Sequence, residues 1–286
     1  MTRACILLLF LLAVAAAGGL GLGQRALALQ SPALPDTLQY PQTGYTALVE
    51  GLSASLWPSL SRGGGPQERL RAFSSLTRHL HATATQEDIL ALDLRAGRLD
   101  CTSLAILMYD VWQSHGDSLA FVVRERHVFI TDGTFDYDPL QVRCEPSARR
   151  WPSAMEVVGG PELMLSLSER AMGEWLGSSR LDEATEWFAR ALRRQPADPL
   201  TLVVWGWQAH QAGQDDTAEQ KLRQCALLWP DAAHSNYALG RFLAEAGRYD
   251  EARWYLEVAQ GLAVHEQDER LKRTIEKLLL QLPKND

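Results

Sequence analysis

Apolar and polar residues change their spacing several times along this chain. Residues 5–17, CILLLFLLAVAAA, are apolar without a break. Residues 29–65 lose all period; with Pro32, Pro35, Pro41, Pro58 and the Arg-Gly-Gly-Gly-Pro run at 62–66 they read as an irregular linker. Leu70, Phe73, Leu76 and Leu80 then recur at three and four, which predicts a helix over 66–82. A second helix runs through Leu90, Leu92 and Leu94. Thr85-Gln-Glu-Asp88 opens it in the manner of a capping box, with Asp in place of Glu or Gln, and Gly97 ends it. Over 101–113, Leu104, Leu107, Met108, Val111 and Trp112 share a helical face, and Gly116 stops it. The period then shortens. Residues 118–123 read as a buried strand, and 127–131 and 134–138 as strands joined by a two-residue Asp132-Gly133 turn. Residues 145–161 carry Pro146, Pro152, Gly159, Gly160 and Pro161 and mark a domain boundary; from 162 the period is helical to the end.

That last region repeats itself every 34 residues. Ala184, Ala218 and Ala252 keep the interval, as do Phe188, Leu222 and Leu256, Pro196 and Pro230, Gly206 and Gly240, and Gly213 and Gly247. The first copy has Met172 and Ser179 at the two glycine positions, and the third has Val264 in place of Pro. A helix-turn-helix unit of this length, with small residues at the crossing, resembles the tetratricopeptide repeat. Three copies over 165–266, capped by a helix at 268–282, make a repeat domain of 162–284. The resemblance implies a groove that binds a peptide or protein partner. Trp205, Trp207 and His210 are placed either on that groove or in the helix contacts behind it.

Composition narrows the partner. The net charge of −7 and the absence of a Lys/Arg run argue against nucleic acid. The apolar run at 5–17 is shorter than the roughly 20 residues of a membrane span. With Arg3 before it, and Ala15–Ala17 and Ala26-Leu-Ala28 as small-x-small sites after it, residues 1–28 read as an export signal. Joined to GGLGLG at 18–23, the same run could instead stay uncleaved as an anchor. Either way the rest of the chain lies outside the cytoplasm, in a bacterium the periplasm. Cys5, Cys101, Cys144 and Cys225 are too widely spaced for a zinc site, and no cofactor or metal is expected.

Chemistry concentrates at 97–139. Cys101 opens a helix, where backbone dipoles favour a thiolate, although Asp100, the plausible N-cap, opposes it. With Asp132-Gly133 as the turn, His127 faces Asp138, at the Cβ separation of about 4.5–5.5 Å of directly opposed residues. Cys101 as nucleophile, His127 as base and Asp138 as its orienting acid form a thiol triad, with Asp136 as second choice for the acid. Cys at a helix start, His at a strand start and Asp138-Pro139 at the end of the next strand resemble the transglutaminase-like core, a papain-like α+β fold, over about 66–140. The Ser103-Leu104-Ala105 run resembles its compact bacterial branch, whose members often adjoin tetratricopeptide repeats and often lack the cysteine. No calcium loop is present. The expected architecture is therefore a transglutaminase-like α+β domain at 66–144 followed by an all-α repeat. The expected function is an exported thiol-dependent hydrolase or acyltransferase acting on an amide bond. The alternative is a non-catalytic scaffold carrying a degenerate domain. A Cys101–Cys144 disulfide would silence the thiol. His79, His81 and His115 carry no expected chemistry.

Overall fold

The computed structural model describes residues 21–60, 65–80, 89–124, 127–147 and 156–283. Contacts divide it into two compact units, one of residues up to Ala120 with Phe129–Glu145, the other of Phe121–Val128 with everything from Pro146 on.

The first unit begins earlier than the sequence predicts. Helix α1, Leu22–Gln30, buries Leu22, Ala26, Leu27 and Gln30. The linker expected over 29–65 contains helix α2, Gln42–Leu60. Its prolines do not break it. Pro41 precedes its first residue, and Pro58 stands in its last turn, while Tyr45, Leu52 and Leu56 bury one face. Helix α3, Pro66–Thr77, starts as expected, with Glu68 accepting the Gly65 amide at 3.2 Å. The Thr85–Asp88 capping sequence lies outside the described residues. Helix α4, Leu90–Ala96, ends at Gly97, whose φ of 63° is left-handed. Helix α5, Cys101–Gln113, has the predicted bounds and is buried from Cys101 to Trp112. Trp112 meets Phe73 of α3 edge-on at 5.6 Å.

Among the described residues five strands follow: β1 Ala120–Arg124, β2 His127–Thr131, β3 Phe135–Asp138, β4 Arg143–Pro146 and β5 Glu156–Gly159. β4, β3 and β2 are neighbours in that order, and β1 pairs antiparallel with β5. The stretch 145–161, expected as a boundary, holds the end of β4 and all of β5, and the first unit ends within it at Glu145. Val157 and Val158 lie opposite Val123 and Val122, and Arg124 bonds Glu156 at 2.6 Å.

The hairpin register is also corrected. Ile130 pairs with Tyr137 and Thr131 with Asp136. The Asp132 amide then bonds the Phe135 carbonyl at 3.2 Å, so the two turn residues are Gly133 and Thr134. Gly133 takes the positive φ, 86°, that such a turn demands. The turn slides because Asp132 serves it from outside. Its Oδ1 accepts the amides of Thr134 and Phe135 at 2.8 and 2.7 Å, and its Oδ2 accepts the Tyr137 hydroxyl at 2.6 Å. Burial alone would raise this carboxyl, but the bonds from Tyr137, Phe135 and Thr134 hold it below its ordinary range.

The second unit is a stack of helix pairs that keeps the 34-residue period of the sequence. Helices α6 (Pro161–Leu176) and α7 (Leu181–Arg194), α8 (Pro199–Gln211) and α9 (Asp215–Leu228), and α10 (Ala233–Glu245) and α11 (Tyr249–His265) form three pairs, and α12 (Glu269–Gln281) ends the stack. Each pair crosses where a glycine of its first helix receives a bulky side chain of its second. A Cβ on Gly206 would lie 2.8 Å from Leu222 Cγ, and one on Gly240 would lie 2.9 Å from Leu256 Cγ. In the first pair Gly173 takes this role under Phe188, one residue after Met172. Gly177, with φ of 67°, likewise supplies the turn that Gly213 and Gly247 supply later. Helix α11 runs three residues longer than α7 and α9 because Val264 stands where Pro196 and Pro230 stop them.

Candidate functional site

Two places gather candidate functional side chains. The first is the predicted triad. Cys101 is the first residue of α5 and is 9% exposed. Asp100 is its N-cap, accepting the Ser103 amide at 2.8 Å, and the Ser103 hydroxyl donates to the buried carboxylate of Asp93. Among the described residues Cys101 and Cys144 are not joined in a disulfide. Burial, and then Asp132, Asp136 and Glu145, push the Cys144 thiol up; burial pushes Cys225 to about 12, as its thiol faces the Pro199 carbonyl at 3.6 Å.

The shifted register changes the opposition on which the acid was chosen. Continuing it from Thr131–Asp136 sets Phe129, not His127, against Asp138. A slide of two residues preserves side-chain alternation, so Asp136 and Asp138 keep the face they were predicted to have. Asp138 Oδ1 accepts the amides of Leu140 and Gln141 at 3.1 and 2.9 Å, and so caps the turn after β3. Cys101 and Asp138 belong to the first unit; His127, half-buried at the start of β2, belongs to the second.

The second place is on the first helices of the repeat. Trp205 is buried, stacked on Phe188 with centroids 5.9 Å apart, and so fills a helix contact. Trp207 and His210 stay half-exposed on α8. The Arg241 guanidinium of α10 lies 4.2 Å over the Trp207 ring and its Nε bonds Glu245 at 2.8 Å. His210 bridges the elements. Its Nδ1 lies 2.6 Å from Asp215 and its Nε2 3.2 Å from Glu245, and its ring meets Trp207 and Phe242 edge-on. Arg241 and Glu245 were not singled out from the sequence, yet the signal was there. Arg241 stands 34 residues after Trp207, in the same column of the repeat.

The Asp215 bond, opposed by burial and reinforced by Glu245, raises the His210 pKa. A raised folded value means that the stabilisation is complete below the unfolded value of about 6.5 and is lost as pH rises through the folded value. Thermal unfolding of wild type and His210→Gln across pH 5–9 should therefore differ most at the acid end and converge at the alkaline end. A constant difference would assign His210 a packing role only.

Among the described residues no group of His, Cys, Asp and Glu could hold a metal, and no helix is long and apolar enough to cross a membrane. No protein-family model and no curated protein sequence matches the chain. Among solved structures it is similar to menin, in a crystal structure that reveals the binding site for the Mixed Lineage Leukemia (MLL) protein. Identity is 12%, the TM-score is 0.55, and the match covers 85% of this chain and 66% of menin's. This likeness is one of fold. A thermophilic tetratricopeptide protein of Thermus thermophilus, TTC0263, aligns at 17% identity and a TM-score of 0.37, over 81% of this chain and 99% of its own.

Proposed function

We propose that the chain is a partner-binding protein whose repeat holds a peptide or protein against α8 and α10. The observation that carries this is the preformed group of Trp207, His210, Arg241 and Glu245. Tryptophan and arginine are the side chains that most often dominate interface energies. Here each is already held by a neighbour, so less rotamer freedom is lost on binding. Menin, whose fold this chain shares in part, has a binding site for the Mixed Lineage Leukemia (MLL) protein, which supports a binding role for such a fold. Peptides selected from a random displayed library on the full-length chain test the reading. Binders should weaken about tenfold or more on the Trp207→Ala, Arg241→Ala double variant, whose unfolding temperature should stay close to wild type. Unchanged affinities would remove the site from this face.

A second reading adds thiol chemistry, and the position of Cys101 at the first residue of a helix favours it. The N–H groups there are donors aimed at a developing negative charge. In this reading an exported, periplasmic enzyme with a transglutaminase-like domain attacks a carboxamide or peptide carbonyl through Cys101. His127 moves the proton, and Asp138 or Asp136 orients His127. The C–N bond breaks, ammonia or the amine leaves with the proton that His127 carries, and the thioester passes its acyl group to water or another amine, returning the thiol. An amide-mimic thiol probe on the full chain should label Cys101, and labelling should collapse in His127→Ala. Equal labelling of both would leave the repeat as the working part and the first unit as its degenerate companion.

A further inference from the structure

Two small-x-small sites compete at the start of the chain, Ala15–Ala17 and Ala26–Ala28. The first unit distinguishes them. Cleavage after Ala28 would remove most of α1, and α1 is built into the core. Leu22 and Leu27 are 2% exposed, and Ala26 and Gln30 are fully buried. The start of α1 is held by a single carboxylate from the last turn of α5. Asp110 Oδ1 accepts the Leu22 amide and Oδ2 the Gly23 amide, both at 2.7 Å, and the Tyr45 hydroxyl of α2 adds a third bond at 2.9 Å. These are the unbonded N–H groups that every helix leaves at its first turn. Position 23 is fitted to the contact, because a Cβ on Gly23 would lie 2.1 Å from the Tyr45 ring. The far end is tied as well, with Gln30 Oε1 accepting the Ala91 amide at 3.1 Å. A product beginning at Leu29 would keep Asp110 in the interior and lose both of its backbone donors.

We infer that export processing of this chain occurs at the alanines 15–17, and that residues 21–30 remain as a built-in strap of the mature first unit. This rests on the export reading, and its test separates the two. The full-length chain with a C-terminal tag is produced in a Gram-negative host, and the intact mass of the exported fraction is measured. The expected product begins at Gly18. A product beginning at Leu29 overturns the inference and keeps the export reading; an exported chain that retains residues 1–17 overturns the inference and makes the apolar run an anchor; a chain found only in the cytoplasm overturns both. A second measurement compares chains started at Gly18 and at Leu29. The shorter one is expected to unfold at least about 5 °C lower in its first transition. Equal unfolding temperatures would show that the strap is dispensable and would also overturn the inference.

Discussion

Gly206→Leu should unfold the repeat well below the wild-type denaturant midpoint. The glycine lies where α8 and α9 cross, and an ideal Cβ there would meet Leu222 Cγ at 2.8 Å, Leu222 Cδ2 at 3.0 Å and the Ala218 carbonyl at 3.3 Å. Leu222 and Ala218 are fully buried and have no free side on which to retreat. The carbonyl is backbone and moves only with its helix. Overpacking of this kind costs typically 1–3 kcal/mol and sometimes more. The effect should spread, because each repeat draws stability from its interfaces with its neighbours. Gly261 supplies the control. It sits in α11 with nothing within 4 Å of an added Cβ, so Gly261→Ala should stabilise by roughly 0.5–1 kcal/mol through helix propensity alone. If Gly206→Leu and wild type share a midpoint in urea, the glycine column is not the packing determinant argued above.

The repeat was legible because its signal is long and constant. Its first copy was misread by one position, since the crossing requires a hole for a bulky residue rather than a glycine at one register. Phe188 finds that hole at Gly173. The hairpin was legible in kind and displaced in detail. Asp-Gly marks the turn, but the carboxylate of Asp132 bonds best from just outside it, and this moves every pairing by two residues. β4 and β5 were hidden because each is four residues long, and the mostly exposed β4 lies at the end of the strand order, where Pro146 is tolerated. Helix α2 is hidden in the sequence because a proline breaks a helix only in its interior, and Pro41 and Pro58 stand at its two ends. Cys101, His127 and Asp138 each stand at an element boundary, as their sequence contexts predicted. Side-chain opposition across strands depends on register, which the turn chemistry decided.

Asp110→Ala should release α1 from the first unit. The substitution leaves the amides of Leu22 and Gly23 and the hydroxyl of Tyr45 without their acceptor in a site closed to water. An unsatisfied buried donor costs about 1–3 kcal/mol, and three of them set an expected loss of roughly 3–5 kcal/mol once local opening relieves part of the cost. The readout is local. Amide exchange of Leu22 and Gly23 should accelerate strongly, while that of α8 to α11 should hold. Asp110→Asn tests the charge separately. Burial raises the Asp110 carboxyl above its ordinary value, and the bonds from Gly23, Leu22 and Tyr45 offset this only in part. The folded state therefore holds its proton to higher pH than the unfolded state does. This contribution favours folding below the unfolded value, near pH 3.9, and declines as pH rises to the folded value. Asparagine removes that slope, but its amide hydrogens face the Leu22 amide, or else the Gly23 amide with the Tyr45 hydroxyl oxygen as acceptor, so one backbone donor loses its partner. Asparagine's loss at neutral pH should be smaller than alanine's, and its deficit relative to wild type should grow as pH falls from the folded value towards the unfolded one. Unchanged exchange at Leu22 in both variants would show that α1 is held by its apolar face alone.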